Sequence, residues 1–440
     1  MLGDRFGLPV TTSSEPALAL YVEAVDRLLS ANAGAEALLA EAIALDPDFA
    51  LAHAALGRNA QLYGRIEEAR AAVARAGACV ATATERERRH GEAVALAING
   101  DSARALAAVE AQARDYPRDA LVLSLALGVY GLIAFSGRPD HHEAQRALLE
   151  GLAPSWGQDW WFLTYLGWSR VETDDPRGGG KILERALALN PRNAHGAHAR
   201  THARVELGEA AEGIAYLEHW LPDYDPAAIL HCHLNWHLAL FELDRGEADR
   251  AMARYRMAMR PEVARCGPMP TLADAASFLW RCDLYGAGSR PLPWEEVTAL
   301  VARRFPRAGL AFADLHAAMA EAATSSTAGL EARIADLERR AAEGKLPQGR
   351  VVPLLCRGLA AFARGDAAEA ADLLTAAMPD LTRVAGSHAQ REVFEDTLIA
   401  ALLGCGRSDG ARRLLAQRLA RRPRRQDATW TAAAAPGSRN

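Results

Sequence analysis

Apolar positions in this chain are filled mainly by alanine and leucine, in segments separated by short polar turns. Both residues favour helix, and the runs of Val, Ile, Thr and aromatics that mark strands are scarce. The pattern predicts an all-α protein. Within it one signature recurs: a glycine, a charged residue, and a small residue five positions after the glycine. It occurs at Gly64-Arg65…Ala69, Gly100-Asp101…Ala105, Gly208-Glu209…Gly213, Gly246-Glu247…Ala251, Gly365-Asp366…Ala370 and Gly406-Arg407…Ala411. Glycine can end a helix in the left-handed conformation. The charged residue then begins the next helix, and the small residue lets the two helices approach closely. Each copy predicts the turn of an αα-hairpin.

A second signature marks where hairpins restart. Asp46-Pro47-Asp48, Tyr116-Pro117-Arg118-Asp119, Asn190-Pro191-Arg192-Asn193 and Asp225-Pro226 each precede an alanine- and leucine-rich segment, as expected of helix starts. The unit Phe49–Ala72, with Ala52, Ala55, Leu56-Gly57, Tyr63-Gly64 and Ala69, is close to the tetratricopeptide pattern. The expected fold class is therefore a tetratricopeptide-like α-solenoid of antiparallel helix pairs, with a dozen or more helices able to curl around a central pocket. An N-terminal segment and first helix (1–30) precede the repeat domain (31–420). The polar, arginine-rich stretch 421–440 reads as a disordered tail. Repeats near 120–136, 270–290 and 300–350 are degenerate, and Ala322–Gly329 reads as a loop.

Aromatics make up only 6% of the chain, so the core must be built from small and aliphatic side chains. The formal net charge is −5, and the arginines alternate with acids on helical faces rather than forming a basic stripe. Nucleic-acid binding is not expected. None of the six cysteines forms a CxxC pair, which argues against a zinc ribbon, a thioredoxin-type site or a disulfide framework. The N-terminus lacks a basic region followed by an apolar core, and the longest apolar stretches, such as Ala120–Phe135, fall short of a membrane span. A cytoplasmic protein with reduced thiols and no membrane partner is expected.

Most catalytic motifs fail. Gly178-Gly179-Gly180-Lys181 is followed by Ile182 and lacks the upstream glycine of a P-loop, so it fits a loop or helix start. His142-Glu143 ends at Arg146 and is no HExxH. No GxGxxG follows a strand, and no GxSxG is present.

The histidines are different. Seven of the 13 fall between His195 and His237. His198/His202 and His233/His237 are each spaced by four, so each pair shares a helix face. The two pairs are 35 residues apart, close to one repeat, and Pro191 and Pro226 share that offset. In a solenoid this register brings the four imidazoles into one cluster on adjacent helices. Such a cluster can bind zinc or another transition metal, oriented by Glu206, Asp225 or Glu242. It can equally be a polar ligand pocket or a set of hydrogen-bonded core histidines. His195 and His231 are expected off that face, and His219 on the surface. Trp236, about 100° round the helix from His237, is expected as a packing anchor. Trp156, Trp160, Trp161 and Trp168 form a tryptophan-rich stretch read as core or groove wall. Asp314 and His316, two apart, do not share a helical face. Arg281 and Arg391 are expected to pair with acids.

The ordered landmarks of the chain resemble the tetratricopeptide repeat protein 38 family over roughly residues 4–415. They are Asp4 and Gly7-Leu8-Pro9 with Thr12-Ser13-Ser14-Glu15-Pro16-Ala17; Arg86-Glu87…His90…Asn99-Gly100; His198…His202; and His233…Trp236-His237-Leu238-Ala239-Leu240. Then come Asp274…Ser277…Leu279…Arg281, Asp314…His316, and Gly386-Ser387…Ala389-Gln390-Arg391…Phe394. The resemblance implies an α-helical repeat protein and no particular activity. The chain departs from the family at Leu127-Gly128, where His-Asp is frequent, and at Val205, where Glu is usual and Glu206 lies one place later. The expected function is a non-catalytic binding protein or scaffold, taking a protein segment or small ligand on its concave face, with no cofactor required. The candidate residues are His198, His202, His233, Trp236 and His237, with Arg281, Asp314 and His316 as further candidates. The alternative is a metal-dependent enzyme built on the four histidines.

Overall fold

The computed structural model describes residues 2–79, 83–288 and 290–435. Helix pairs follow one another from Glu15–Leu29 to Ser408–Arg421, and one two-stranded ribbon (Leu2–Gly3 with Pro9–Val10) is the only sheet among the described residues. The protein is an all-α, tetratricopeptide-like solenoid. No described helix is long and apolar enough to cross a membrane.

The turn signature behaves as its chemistry requires. All six of its glycines have positive φ, between 69° and 84°. The alanines five positions on (Ala69, Ala105, Ala251, Ala370, Ala411) are all 0% exposed. At Gly213 an added Cβ would meet the Phe241 ring at 2.4 Å. Local caps set the helix starts. Thr84 and Ser387 each form a reciprocal capping box, and Asp159 accepts from the Trp161 and Phe162 N–H groups. Gly178–Gly180 lie in the first turns of the helix Pro176–Leu189, capped by Asp175. Gly179 serves packing there, since a Cβ on it would stand 2.5 Å from the Gly167 carbonyl oxygen.

The superhelix winds tightly enough for distant segments to meet across its centre. Gln348 donates to the Phe135 carbonyl, Gln390 to the Tyr130 hydroxyl, and the His388 N–H to Glu172. The degenerate stretch 120–136 supplies the first two of these contacts. It holds only the short helices Ala120–Ser124 and Leu132–Phe135, and the loop between them turns into the interior. The N-terminal ribbon is clamped by the landmark residues: Glu87 accepts from the Thr11 N–H and hydroxyl, and Arg86 donates to the Pro9 carbonyl.

Two expectations are corrected. The loop expected over Ala322–Gly329 shrinks to the link between the helices Ala311–Ala323 and Thr327–Ala342, because Thr327 and Gly329 are taken into the first turn of the second helix, whose N-cap position Ser326 occupies. The tail expected from Arg421 onward instead ends one helix at Arg421 and forms another over Arg425–Ala433. Arg421 and Arg425 stay exposed, but Arg422 is buried and Arg424 half-buried. Arg422 donates to both oxygens of Glu392 (2.6 and 2.7 Å), and Arg418 and Arg424 share Asp396 and Asp427. Residues 436–440 lie outside the described residues.

Candidate functional site

The two histidine pairs come from the helices Ala194–Leu207 and His231–Arg245, each ended by a left-handed glycine, Gly208 and Gly246. The repeat register sets these helices side by side, and the imidazoles meet. Ring centroids of His198 and His233 are 4.8 Å apart and those of His202 and His237 are 4.4 Å apart. One nitrogen from each of the four rings lies within 4.8 Å of all the others. His198 Nε2 and His202 Nε2 are 3.0 Å apart, a hydrogen-bond distance. All four side chains are buried.

The carboxylates behind the cluster are not Glu206, Asp225 or Glu242. Glu206 accepts from Arg422, Asp225 caps a turn at Ala227, and Glu242 accepts from Arg254. The helix period explains this: one step past Val205 turns Glu206 by about 100°. Two other acids take the role. Asp274 accepts from His233 Nδ1 at 2.8 Å, and Glu172 Oε1 stands 3.2 Å from His202 Nδ1. The Trp236 indole N–H donates to Ser277, and its ring stacks on His233, so Trp236 is an anchor. Asp274 and Ser277 lie 41 residues after His233 and Trp236 respectively. That shared offset, readable in the sequence, was the signal that could have found Asp274. Glu172 carries no such mark.

Burial pushes His198, His202 and His237 below the usual histidine range. Neighbouring imidazoles push His198 and His237 further down, whereas Glu172 pulls His202 back up. Burial would raise Glu172, but His388, His202 and His142 outweigh it and hold it well below the carboxylate range. Burial thus favours the neutral forms of His198, His202 and His237, with an ionised carboxylate, Glu172, beside His202.

A cavity of about 170 Å³ adjoins the cluster. Its walls are mainly apolar, with Leu28, Leu62, Leu121, Leu127 and Tyr165 among them, and His195, His198 and His233 contribute imidazoles. His195, expected off the site, lies on this wall beside Tyr165. Leu127 and Gly128, one of the departures from the family pattern, make the wall apolar at that point. Trp168 bridges cavity and cluster, its ring stacked on His198 and edge-on to His202. Arg58 also faces the cavity; it donates to Gln61 and has no carboxylate partner among the described residues. Burial lowers its pKa to about 10.

The remaining candidates separate from the cluster. Asp314 pairs with Arg333 at 2.6 Å, and His316 Nδ1 meets the Phe312 carbonyl oxygen at 2.7 Å. Arg281 lies over the Trp236 ring, donates to the Ala389 carbonyl and stands 3.8 Å from Asp396. Arg391 contacts His142 Nε2 at 3.1 Å. His219 is exposed.

No family model matches the chain. Similar solved structures include a monomeric mutant of IFIT1 with Gppp-AAAA, at 13% identity over 96% of this chain and 90% of that one, with a TM-score of 0.41. Yeast Tom70 is similar at 14% identity over 95% of each chain, with a TM-score of 0.32. The helix-pair architecture stands on the order and packing of this chain's own elements.

Proposed function

We propose that the protein is a non-catalytic helical-repeat binding protein, related to the tetratricopeptide repeat protein 38 family, that takes a small amphiphilic anion into its central cavity. The observation that carries this reading is Arg58, a cation without a carboxylate counter-ion among the described residues, on a mainly apolar wall. A guanidinium so placed favours a carboxylate or phosphate head, and the leucine wall favours an aliphatic or aromatic body. A small ligand is favoured over a protein segment because much of the remaining interior is filled by the chain's own side chains, Trp236, Phe278 and Phe312 among them. The landmarks Asp274 and Ser277 support the family reading, since they hold the histidine helix that forms part of the wall.

The test is displacement of anthranilate, a small fluorescent carboxylate, by hexanoate and by hexanol. Hexanoate should compete the better, and Arg58→Gln should cost it at least about tenfold in affinity while leaving hexanol unchanged, the worth of one charge-assisted hydrogen bond. Equal competition by acid and alcohol on the native chain would sink the proposal.

A further inference from the structure

The four-histidine cluster is poorly explained as a hydrogen-bond network. If His202 and His233 present Nδ1–H to Glu172 and Asp274, their Nε2 atoms are lone-pair acceptors. His198 can then donate Nε2–H to His202 across 3.0 Å. Nothing remains for His237: it is 0% exposed, and neither ring nitrogen has a partner among the described residues. A neutral imidazole so placed leaves an N–H and a lone pair buried and unpaired, at a cost of about 1–3 kcal/mol each.

We propose that His198, His202, His233 and His237 hold one divalent transition ion of the zinc class, tying the helix Ala194–Leu207 to the helix His231–Arg245. Four nitrogens bound to zinc at about 2.0–2.1 Å stand about 3.4 Å from one another in a tetrahedron. Here one pair is at 3.0 Å and none exceeds 4.8 Å, so small imidazole rotations close the geometry. Each histidine pair has a carboxylate behind one ring, Glu172 at His202 and Asp274 at His233. Asp274, hydrogen-bonded to His233 Nδ1, fixes that tautomer and turns the opposite nitrogen toward the ion, and Glu172 stands close enough to His202 Nδ1 to do the same once that ring turns. The two acids also offset the charge of a dication where burial makes an uncompensated charge costly. His198 and His233 open onto the cavity, which gives the ion an entry path. Four protein ligands leave no open position, so the ion is structural and supplies no reactive water.

The neighbouring group His142, Glu172 and His388 does not form a second centre. The Arg391 guanidinium stands 3.1 Å from His142 Nε2, and a cation would have to displace it. Arg281, over the Trp236 ring, is held by Asp396 and the Ala389 carbonyl.

The experiment uses the full chain made without a histidine tag, stripped with chelator, and reloaded with Zn²⁺ or Co²⁺. We expect one equivalent of Zn²⁺ by atomic emission, a higher Tm on reloading, and the intense visible bands of tetrahedral Co²⁺. Asp274→Asn keeps all four imidazoles and should weaken zinc affinity about 10–100-fold. The proposal is overturned if the native chain retains well below one equivalent, or if bound Co²⁺ shows only weak octahedral bands. It is overturned equally if a folded His198→Gln/His237→Gln chain binds zinc as the native chain does. The metal readings on the native chain decide the matter should that double variant fail to fold.

Discussion

Replacing Arg422 with alanine tests whether the C-terminal segment is part of the fold. Its guanidinium is 6% exposed, donates to both oxygens of Glu392 and reaches Glu206 at 3.2 Å. Burial by itself would raise Glu392, but Arg422 first, then Arg424, Arg421 and Arg281, bring it down to about 2. Against an ordinary value of 4.5, a depression of that size corresponds to about 3 kcal/mol shared among those cations. Losing one partner of a buried pair costs a similar amount, about 3–5 kcal/mol, because the other charge is left behind. A depressed carboxylate contributes stability that is present above its unfolded pKa and lost as pH falls through the folded one. The penalty of Arg422→Ala should therefore be full at pH 7 and shrink from about pH 4.5 toward pH 2. Urea unfolding measured across that range gives the offset. Hydrogen exchange should show the helices Arg425–Ala433 and His388–Gly404 opening first, since a solenoid need not unfold in one step. Adding Glu392→Gln to Arg422→Ala should recover part of the loss. An offset below about 1 kcal/mol at pH 7, or one that stays constant as pH falls, would refute the reasoning.

Two other perturbations probe the frame. Gly179→Ala should lower the urea midpoint by the equivalent of about 1–3 kcal/mol, because the added methyl meets the backbone of Gly167 and Val171 and neither can retreat like a side chain; an unchanged midpoint would mean that the crossing is looser than it looks. Asp119 is held at about 2 against its burial by His90, Arg86 and Gln112. Asp119→Asn should therefore cost about 2 kcal/mol at pH 7, fading from about pH 4 to pH 2, with the N-terminal half losing exchange protection first.

The amino-acid order alone specifies the helix pairs. Each Gly–charge–small turn acts within a few residues, through a left-handed φ and a close helix crossing, so its outcome is local. It also determined that the histidine pairs meet, because a solenoid converts an offset of one repeat into side-by-side helices. The partners those histidines then find were decided by the tertiary structure. Asp274 reaches His233 only because the helix Pro268–Tyr285 packs against it, and Glu172 reaches His202 from the end of a helix on the other side. The arginines near the C-terminus looked like a solvated tail, since charge in isolation favours water. Their burial depended on Glu206, Glu392 and Asp396 being presented together by helices up to 216 residues away. Composition reports how many charges a chain carries; only the folded arrangement decides which of them find a partner out of water.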